Sequence, residues 1–461
     1  MSTREVTRGR RYLTSLAERS VAVVGLARSG IAAARLLREA GAKVVATDAK
    51  PIATLPTEAR ALEALGVRLV AADADPLRGA ELVVVSPGVP LDGAQLAPAR
   101  LRGIPVISEL ELGWRASEAE AIAITGTNGK TTTTALTGAL LARQGWPVLV
   151  AGNIGTPLAA EAARVPADSR LVLEVSSFQL ETIETFRPRV AAVLNVTPDH
   201  LDRHGTLAAY AAAKARIFEN QEPGDLAVLN DDDPGARALA ASVRADLIWF
   251  SRRRELPRGV FVHDGWLVAR LEGTAELIGP VSEITLRGAH NVENVLAATA
   301  CARWLGVPPA VIREGIAAFR AVAHRIEFVR ELDGVAYYND SKGTNIESTI
   351  KALESFSEPV VLIAGGKGKG QDFGPLAHAA RGRVTLTVLI GEDAPRMAQA
   401  LESEGLAVAR CASLAAALEA ARTAASTGAV VLLSPACASF DMFDNYEHRG
   451  DVFKQRVRDL A

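Results

Sequence analysis

Residues 121–134 read Ala-Ile-Ala-Ile-Thr-Gly-Thr-Asn-Gly-Lys-Thr-Thr-Thr-Thr. An apolar, strand-like run enters a glycine loop, which is followed by a lysine and by hydroxyl side chains that open a helix. Glycines let backbone N–H groups approach phosphate oxygens, Lys130 adds a cation, and Thr131 can ligate Mg²⁺. Gly126 and Gly129 enclose two residues, where the strict phosphate-loop pattern has four. The stretch predicts a shortened ATP-binding loop, and the alternative is an ordinary strand-to-helix turn.

Length and composition indicate an ordinary globular protein of about three domains. The chain has 461 residues and a formal net charge of −2, which gives no electrostatic basis for binding nucleic acid or an anionic membrane. No apolar run is long enough to span a bilayer. Three scattered cysteines, Cys301, Cys411 and Cys437, lack metal-ligand spacing and fit a reducing compartment. We therefore expect a cytoplasmic protein without a membrane span, and a monomer.

Strand-like runs alternate with helical patterns almost throughout the chain, which predicts an α/β protein with parallel sheets. We expect three domains: a Rossmann-like domain at 1–113, a central P-loop ATPase-like domain at 114–320, and a Rossmann-like domain at 321–461. The segment Asp246–Pro280 has short strands and glycine turns and is predicted as a meander, followed by a helix over Asn291–Leu305. Further predicted strands are Ser20–Gly25, Lys43–Asp48, Leu82–Ser86, Leu171–Val175, Val190–Val196, Leu226–Leu229, Val360–Ala364, Thr385–Ile390 and Val430–Ser434.

A second glycine loop, Gly25-Leu-Ala-Arg-Ser-Gly30, follows the first predicted strand. The dinucleotide-binding pattern needs a glycine where Ala27 stands, so binding of NAD is disfavoured. Asp48 ends the next strand, where an acidic residue can meet a ribose hydroxyl. Two interpretations stay open: a nucleotide-type ligand such as a UDP moiety, or a structural tight turn with an exposed aspartate.

Two polar residues stand at the ends of predicted central strands. Glu174 interrupts an apolar run, and a carboxylate there is costly unless it is paired or bound to a metal. His200 follows another strand, and strand ends are where ligands bind in open α/β sheets. Both could reach a Mg²⁺ held near Thr131, although Mg²⁺ prefers oxygen ligands. A hydrogen-bonded loop histidine is the alternative for His200.

Lys214 lies on the apolar face of a predicted helix, Thr206–Glu219. One interpretation is a lysine whose stem packs while its ammonium reaches water. The other is a buried lysine with a lowered pKa, whose neutral amine can add CO₂ to form a carbamate, an oxygen ligand suited to Mg²⁺.

These segments together resemble the Mur ligases, ATP-dependent enzymes that add amino acids to the peptidoglycan precursor. The resemblance implies ATP and two Mg²⁺, with Lys130, His200 and Lys214 as catalytic residues and Lys214 carbamylated. The implied metal ligands are Thr131, Glu174, His200 and Lys214. The implied ATP contacts are Gly126, Thr127, Asn128, Gly129, Lys130, Thr131, Thr132, Asn291, Asn294, Arg325 and Asp340.

Three motifs look like those of the D-glutamate-adding members of this family: Glu174-Val-Ser-Ser-Phe-Gln, Asn339-Asp-Ser-Lys-Gly-Thr-Asn and Ser434-Pro-Ala-Cys-Ala-Ser-Phe-Asp. The implied substrates are UDP-N-acetylmuramoyl-L-alanine and D-glutamate, joined through an acyl phosphate. The implied contacts to the uridine nucleotide are Arg28, Ser29, Asp48, Gly88, Asn153 and His200. The implied D-glutamate contacts are Lys342, Thr344, Lys369, Ser439, Phe440 and Tyr446; the family often has phenylalanine where Tyr446 stands.

Three other functions remain as alternatives. The first is a different amide ligase of the superfamily, such as another Mur ligase or a folylpolyglutamate synthetase. The second is an NAD-dependent oxidoreductase that uses the loop Gly25–Gly30. The third is a nucleotide-gated binding protein that performs no ligation.

Overall fold

The computed structural model describes residues 6–320, 322–368 and 370–460. Within these ranges the chain alternates strands and helices and forms three sheets, which confirms the predicted α/β class. Lys369 lies outside the described residues. The α-helices are α1 (Gly9–Ser15), α2 (Arg28–Glu39), α3 (Thr57–Arg60), α4 (Ala97–Arg102), α5 (Glu109–Ala116), α6 (Lys130–Arg143), α7 (Leu158–Glu161), α8 (Ser177–Leu180), α9 (Leu201–His204), α10 (Leu207–Ala215), α11 (Pro234–Ala238), α12 (Ala289–Trp304), α13 (Pro309–Ala318), α14 (Ile346–Leu353), α15 (Gly374–Ala380), α16 (Ala394–Ser403), α17 (Leu414–Ala424) and α18 (Tyr446–Asp459).

The first sheet is parallel, with the strand order β3-β2-β1-β4-β5. Its strands are β1 (Ser20–Val24), β2 (Lys43–Thr47), β3 (Arg68–Leu69), β4 (Leu82–Val85) and β5 (Val106–Ser108). The strand order reverses at β1, so the glycine loop after β1 opens at the point where ligands bind in open α/β sheets.

The central sheet contains the quoted apolar run as its strand β6 (Glu120–Thr125), fully buried from Ala121 onward. Its order is β14-β13-β12-β11-β10-β9-β6-β8-β7, parallel from β7 to β12 and antiparallel at β13 and β14. The remaining strands are β7 (Val148–Gly152), β8 (Arg170–Glu174), β9 (Val190–Val193), β10 (Leu226–Asn230), β11 (Asp246–Ser251), β12 (Gly259–His263), β13 (Trp266–Arg270) and β14 (Ala275–Pro280). The prediction of a meander over Asp246–Pro280 is confirmed only for β12, β13 and β14, because β11 pairs in parallel with β12; all four strands continue this sheet.

The third sheet has the order β15-β16-β20-β17-β18-β19 and is parallel except where β15 pairs with β16. Its strands are β15 (Glu327–Leu332), β16 (Val335–Asn339), β17 (Val360–Gly365), β18 (Val384–Ile390), β19 (Val408–Arg410) and β20 (Val430–Leu433). Apolar clusters cover both faces of this sheet, as expected of a mostly parallel sheet between helices.

The chain folds as two compact units. Unit 1 takes the chain up to Glu283 together with Glu293–Ala317, and it contains the first and central sheets. Unit 2 takes Ile284–Val292 together with the chain from Ala318 onward, and it contains the third sheet. The predicted boundary at 113/114 falls inside α5, and the three-domain limits stay a prediction.

Two sequence expectations concern the chemistry of the chain as a whole. Cys301, Cys411 and Cys437 are all free thiols. Across the described ranges, every helix is too short or too polar to cross a bilayer.

Candidate active site

The phosphate loop connects β6 to α6, as the sequence predicted. Gly129 caps α6 with a left-handed backbone, φ 84°, and an added Cβ there would overlap Oδ1 of Asn294. Gly126 also has a positive φ, 154°. These two positions need glycine, because other residues rarely adopt such backbone angles. The loop thereby presents the N-terminus of a 14-residue helix, whose first-turn N–H groups and dipole favour a phosphate.

The segment after β9 holds the loop in place. The backbone N–H of Thr127 donates to the carbonyl of Asn195 at 3.0 Å, and that of Asn128 donates to Oδ1 of Asn195 at 2.8 Å. The Thr127 hydroxyl donates to the carbonyl of Thr197 at 3.1 Å. These bonds orient the loop before any ligand binds, which reduces the entropy lost on binding.

Two lysine ammonium groups meet at one carbonyl of the loop. Lys130 folds back so that its Nζ donates to the carbonyls of Gly126 and Thr127, at 2.8 and 2.7 Å. Lys214 donates to the same Gly126 carbonyl from α10, at 2.9 Å. The Lys130 ammonium gives the loop a positive charge, which suits a triphosphate.

Glu174 ends β8 and is 1% exposed, so its carboxylate must be satisfied inside the protein. The Thr131 hydroxyl donates to Oε2 at 2.7 Å, and the Asn153 amide donates to Oε1 at 2.9 Å. Thr131 itself is buried in the first turn of α6, beside Thr132. The structure thus brings Thr131, Asn153 and Glu174 together at the carboxyl end of the central sheet.

His200 precedes α9 in a left-handed conformation, φ 53°. Its side chain is 33% exposed and its Nε2 lies 3.6 Å from Oδ2 of Asp199. The ring packs edge-on against Phe178, with 5.0 Å between centroids. Among the described residues, no group of three or more His, Cys, Asp or Glu side chains is arranged to hold a metal. A metal site here would therefore also need Thr131 and Lys214 as donors.

Lys214 is buried, which contradicts the interpretation that its ammonium reaches water. The side chain is 1% exposed and its Nζ lies 4.4 Å from the ring centre of Tyr210. Burial, reinforced by the nearby Lys130 ammonium, lowers the pKa of Lys214 well below its ordinary value, although Asp199 and Glu174 oppose the shift. A buried lysine with a lowered pKa supplies the neutral amine that carbamate formation needs. The predicted helix over Thr206–Glu219 ends as α10 at Ala215 and continues as a 3₁₀ turn.

The glycine loop of the first sheet forms a tight turn. An added Cβ at Gly30 would overlap the carbonyl of Gly25, and the Ser86 hydroxyl donates to that carbonyl at 2.8 Å. Asp48 accepts from the N–H groups of Leu26 and Lys50, at 2.7 and 3.0 Å. The Asp48 carboxylate therefore has a structural role in stabilising this turn. Arg28 is exposed and Ser29 half-buried at the start of α2, and Gly88 is exposed after β4, so all three remain accessible to a ligand.

The nucleotide residues predicted near the central and third sheets divide between the two units. Asn294, in unit 1, accepts from the Thr133 hydroxyl at 3.2 Å beside the phosphate loop. Asn291, in unit 2, is buried and donates to the carbonyl of Arg287 at 2.6 Å. The structure therefore places Asn294 beside the phosphate loop.

Asp340 is a buried carboxylate at the end of β16 in unit 2. Burial raises its pKa to about 6, although Arg325, whose Nη1 lies 3.7 Å away, lowers it. The Ser434 hydroxyl donates to it at 2.7 Å, and the N–H of Ile326 donates at 3.2 Å. The predicted pair of Arg325 and Asp340 therefore forms one cluster.

The described residues predicted to bind D-glutamate also lie in unit 2. The Lys342 ammonium is 5.3 Å from the ring centre of Tyr446. Thr344 is half-buried and Ser439 is buried, whereas Phe440 is 72% exposed. The structure thus brings Lys342 and Tyr446 together and leaves the Phe440 ring in solvent.

Two groups were missed by reasoning from the sequence. The His204 ring stacks on Phe178 with 5.2 Å between ring centres. Its Nε2 shares a hydrogen bond of 3.0 Å with the Ser177 hydroxyl, and its Nδ1 lies 3.4 Å from Oε1 of Glu181. Its position four residues after His200 was the available signal. Arg449 is buried in α18, and no sequence pattern distinguished it from the exposed arginines of that helix.

Comparison with known proteins identifies the family. Three family models match in succession: "Mur ligase MurD-like, N-terminal domain" over residues 19–108, "Mur ligase middle domain" over 124–302, and "Mur ligase, glutamate ligase domain" over 324–437. A UDP-N-acetylmuramoylalanine–D-glutamate ligase of Pelotomaculum thermopropionicum is 49% identical over 97% of this chain and 99% of its own. The chain belongs to the Mur ligase family. A ligase of the same name from Koribacter versatilis is 48% identical, over 96% of this chain and 97% of its own.

Solved Mur ligase structures share the fold at lower sequence identity. MurC of Thermotoga maritima superposes with a TM-score of 0.62 at 21% identity, over 95% of this chain and 99% of that protein. MurF of Acinetobacter baumannii superposes with a TM-score of 0.63 at 18% identity, over 98% of both chains. These likenesses support the three-domain Mur ligase architecture of this chain.

Proposed function

We propose that this Mur ligase uses ATP to join D-glutamate to UDP-N-acetylmuramoyl-L-alanine, a step in making the peptidoglycan precursor. The observation that carries the chemistry is the cluster of Thr131, Glu174 and the buried Lys214 around the phosphate loop. Close full-length relatives that bear the name of this ligase support the choice of substrates. Because the substrates are ATP and a nucleotide-linked sugar, we expect the reaction to take place in the cytoplasm. A single chain carries every proposed site residue, so we expect the enzyme to act as a monomer.

The donor set at the phosphate loop fits magnesium. Thr131 and Glu174 supply oxygen ligands, and a carbamate on Lys214 would supply two more, with His200 completing the set. Carbamate formation joins the neutral Lys214 amine to CO₂ and releases one proton. Mg²⁺ bound by these residues, in two sites that share Glu174, would neutralise charge on the triphosphate.

The first step transfers the γ-phosphoryl group of ATP to the carboxylate of the L-alanyl substrate and gives an acyl phosphate and ADP. Lys130, the first residue of α6, adjoins the loop that faces the phosphates. Its ammonium neutralises the negative charge that shifts toward the leaving oxygen during the transfer. The segment Gly126–Thr132 holds the nucleotide through the N–H groups in the first turn of α6, together with the side chain of Asn294. From unit 2, Asn291, Arg325 and Asp340 contribute further contacts.

In the second step the amine of D-glutamate attacks the acyl carbonyl, the bond to the phosphate oxygen breaks, and the nitrogen loses a proton. The uridine substrate is held by the set Arg28, Ser29, Asp48, Gly88, Asn153 and His200. The D-glutamate set is Lys342, Thr344, Lys369, Ser439, Phe440 and Tyr446. A dicarboxylate requires cations and hydroxyl or backbone donors, and this second set supplies them.

Phosphate release from ATP tests the proposal. We expect release only when UDP-N-acetylmuramoyl-L-alanine and D-glutamate are both present, with a product heavier by one glutamyl residue. L-Glutamate serves as the matched control and is expected to give no product. Release that is indifferent to D-glutamate would contradict the acceptor, and release that is indifferent to the uridine nucleotide would contradict the ligase assignment.

A further inference from the structure

The largest fully buried side chain in the described part of the molecule is an arginine with no carboxylate at ion-pair distance. Arg449, in the first half of α18, is 1% exposed. Its guanidinium donates to the Ser341 hydroxyl at 3.0 Å and to the Ser341 carbonyl at 2.9 Å. It also donates twice to the carbonyl of Cys437, at 3.2 Å each. Burying a cation on neutral carbonyls is costly, so the arrangement calls for a functional reason.

The partners of Arg449 lie in the segments that carry the proposed D-glutamate residues. Ser341 directly precedes Lys342, and Cys437 lies two residues before Ser439. An added Cβ on Gly366, in the segment leading to Lys369, would lie 3.3 Å from Nη1 of Arg449. One guanidinium therefore donates hydrogen bonds to two of these segments and lies beside a third.

Further hydrogen bonds tie these segments to each other and to the start of α18. Lys367 and Ala438 exchange two backbone hydrogen bonds, each 2.9 Å long. The Ser341 hydroxyl, which accepts from Arg449, donates in turn to the carbonyl of Tyr446 at 2.8 Å. Lys342 and Tyr446, whose side chains are in cation–π contact, are thus held on a common frame.

A lysine could not do the same work. The guanidinium is planar and rigid, and its several N–H groups reach two carbonyls and a hydroxyl at once, whereas an ammonium is a compact charge on a flexible stem. Burial lowers the pKa of Arg449 to about 10, against the opposing influence of Cys437, Asp441 and Asp340, so the side chain stays positively charged near neutral pH.

We propose that Arg449 is a positioning residue for D-glutamate, which sets the spacing of the Lys342, Gly366 and Ser439 segments and adds a buried positive charge behind them. The inference rests on the proposed function. Arg449 contacts the segments that carry Lys342 and Ser439 rather than substrate, so its effect should fall mainly on D-glutamate.

Steady-state kinetics of the full-length Arg449→Met variant tests this role. We expect the KM for D-glutamate to rise by about tenfold or more, since small misplacement of positioning groups can cost up to about a hundredfold. The KM values for ATP and UDP-N-acetylmuramoyl-L-alanine should change by less than about twofold. This difference between substrates separates a positioning role from misfolding, since a loss of folded protein lowers kcat and leaves all three KM values unchanged. Arg456→Met, at an exposed position of α18, is the matched control and should behave like the wild type.

Arg449→Lys covers the case in which Arg449→Met does not fold. The lysine keeps the positive charge but lacks the planar set of N–H donors of the guanidinium. The KM for D-glutamate should therefore rise selectively, though less than in Arg449→Met. Unchanged KM values, or equal increases for all three substrates, in the folded variant would overturn the role of Arg449. A wild type that ignores D-glutamate would instead overturn the proposed function, so the two failures can be told apart.

Discussion

At the scale of single residues, the informative features are charges that the fold buries. Lys214 shares the Gly126 carbonyl with Lys130, and Glu174 is held between Thr131 and Asn153. Burying an ionisable group is costly, and both Lys214 and Glu174 lie beside the loop that is proposed to bind the triphosphate. Glu109, at the start of α5, is a contrasting case, because it is fully buried and has no proposed role in catalysis.

Replacing Lys214 tests its proposed modification. We expect Lys214→Ala to lose activity by about a hundredfold or more, because it would remove a metal-binding carbamate. A small carboxylic acid such as formate or acetate should restore part of the activity by occupying the vacated space. Lys43→Ala, at an exposed lysine, should keep wild-type activity with or without the acid. Absence of rescue across a range of short carboxylic acids would count against the carbamate.

Glu109 gives a prediction about pH. Burial raises its pKa from 4.5 to about 7, while a hydrogen bond from the N–H of Ala159, 2.7 Å long, opposes the shift. The folded protein therefore holds this proton more tightly than the unfolded chain does. The contribution of Glu109 to the free energy of unfolding is greatest below pH 4.5 and falls as pH rises to about 7.

Glu109→Gln should remove this pH dependence. We expect it to unfold like the wild type near pH 4.5 and to be more stable at pH 8, by up to about 3 kcal/mol. Urea unfolding of both proteins across this pH range measures the difference, with the exposed Glu58→Gln as the control. Parallel stability curves for wild type and Glu109→Gln would refute the prediction.

At the scale of elements, local pattern predicted many of the strands and a few of the helices, because such elements are encoded by consecutive residues. The strand predicted over Ser20–Gly25 is β1, one residue shorter, and the phosphate loop leads into α6 as expected. Contacts between distant residues could not be predicted in this way. The Ser177–His204 bond spans 27 positions and the Arg449–Ser341 bond spans 108, so both depend on packing that no local pattern reports.

The start of α6 gives a prediction for the phosphate loop. Gly129 and Gly145 flank α6, with φ of 84° and 92°, but only at Gly129 would an added Cβ overlap another group, Oδ1 of Asn294. Gly145→Ala should cost about 1–2 kcal/mol of stability from backbone strain alone, with an unchanged KM for ATP. Gly129→Ala should in addition raise the KM for ATP by about tenfold or more, because the loop must shift away from Asn294. Equal kinetic parameters for the two variants would contradict this.

At the scale of the whole molecule, two units each have apolar cores of their own. The chain passes between the units at residues 283/284, 292/293 and 317/318, and α12 begins in unit 2 and ends in unit 1. The proposed uridine-nucleotide residues belong to unit 1, and the proposed D-glutamate residues belong to unit 2. Each ligand should therefore stabilise a different part of the molecule.

Calorimetry with single ligands tests this division. We expect thermal unfolding in two overlapping transitions, one raised by UDP-N-acetylmuramoyl-L-alanine and the other by D-glutamate. At a ligand concentration of about 100 Kd, each should gain about 2.7 kcal/mol. L-Glutamate is the matched control for the second transition. A single transition that both ligands shift alike would show that the units unfold together.

The three passages of the chain between the units also order events on the ribosome. Ile284–Val292 leaves the exit tunnel before Glu293–Ala317, yet its partners in unit 2 are translated only from Ala318 onward. Domains generally fold as their residues emerge, N-terminal ones first. Unit 1 can thus fold while the nine-residue stretch Ile284–Val292 still lacks the rest of unit 2. A chain truncated near residue 320 would therefore contain a folded unit 1 that carries Ile284–Val292 as an isolated segment of unit 2.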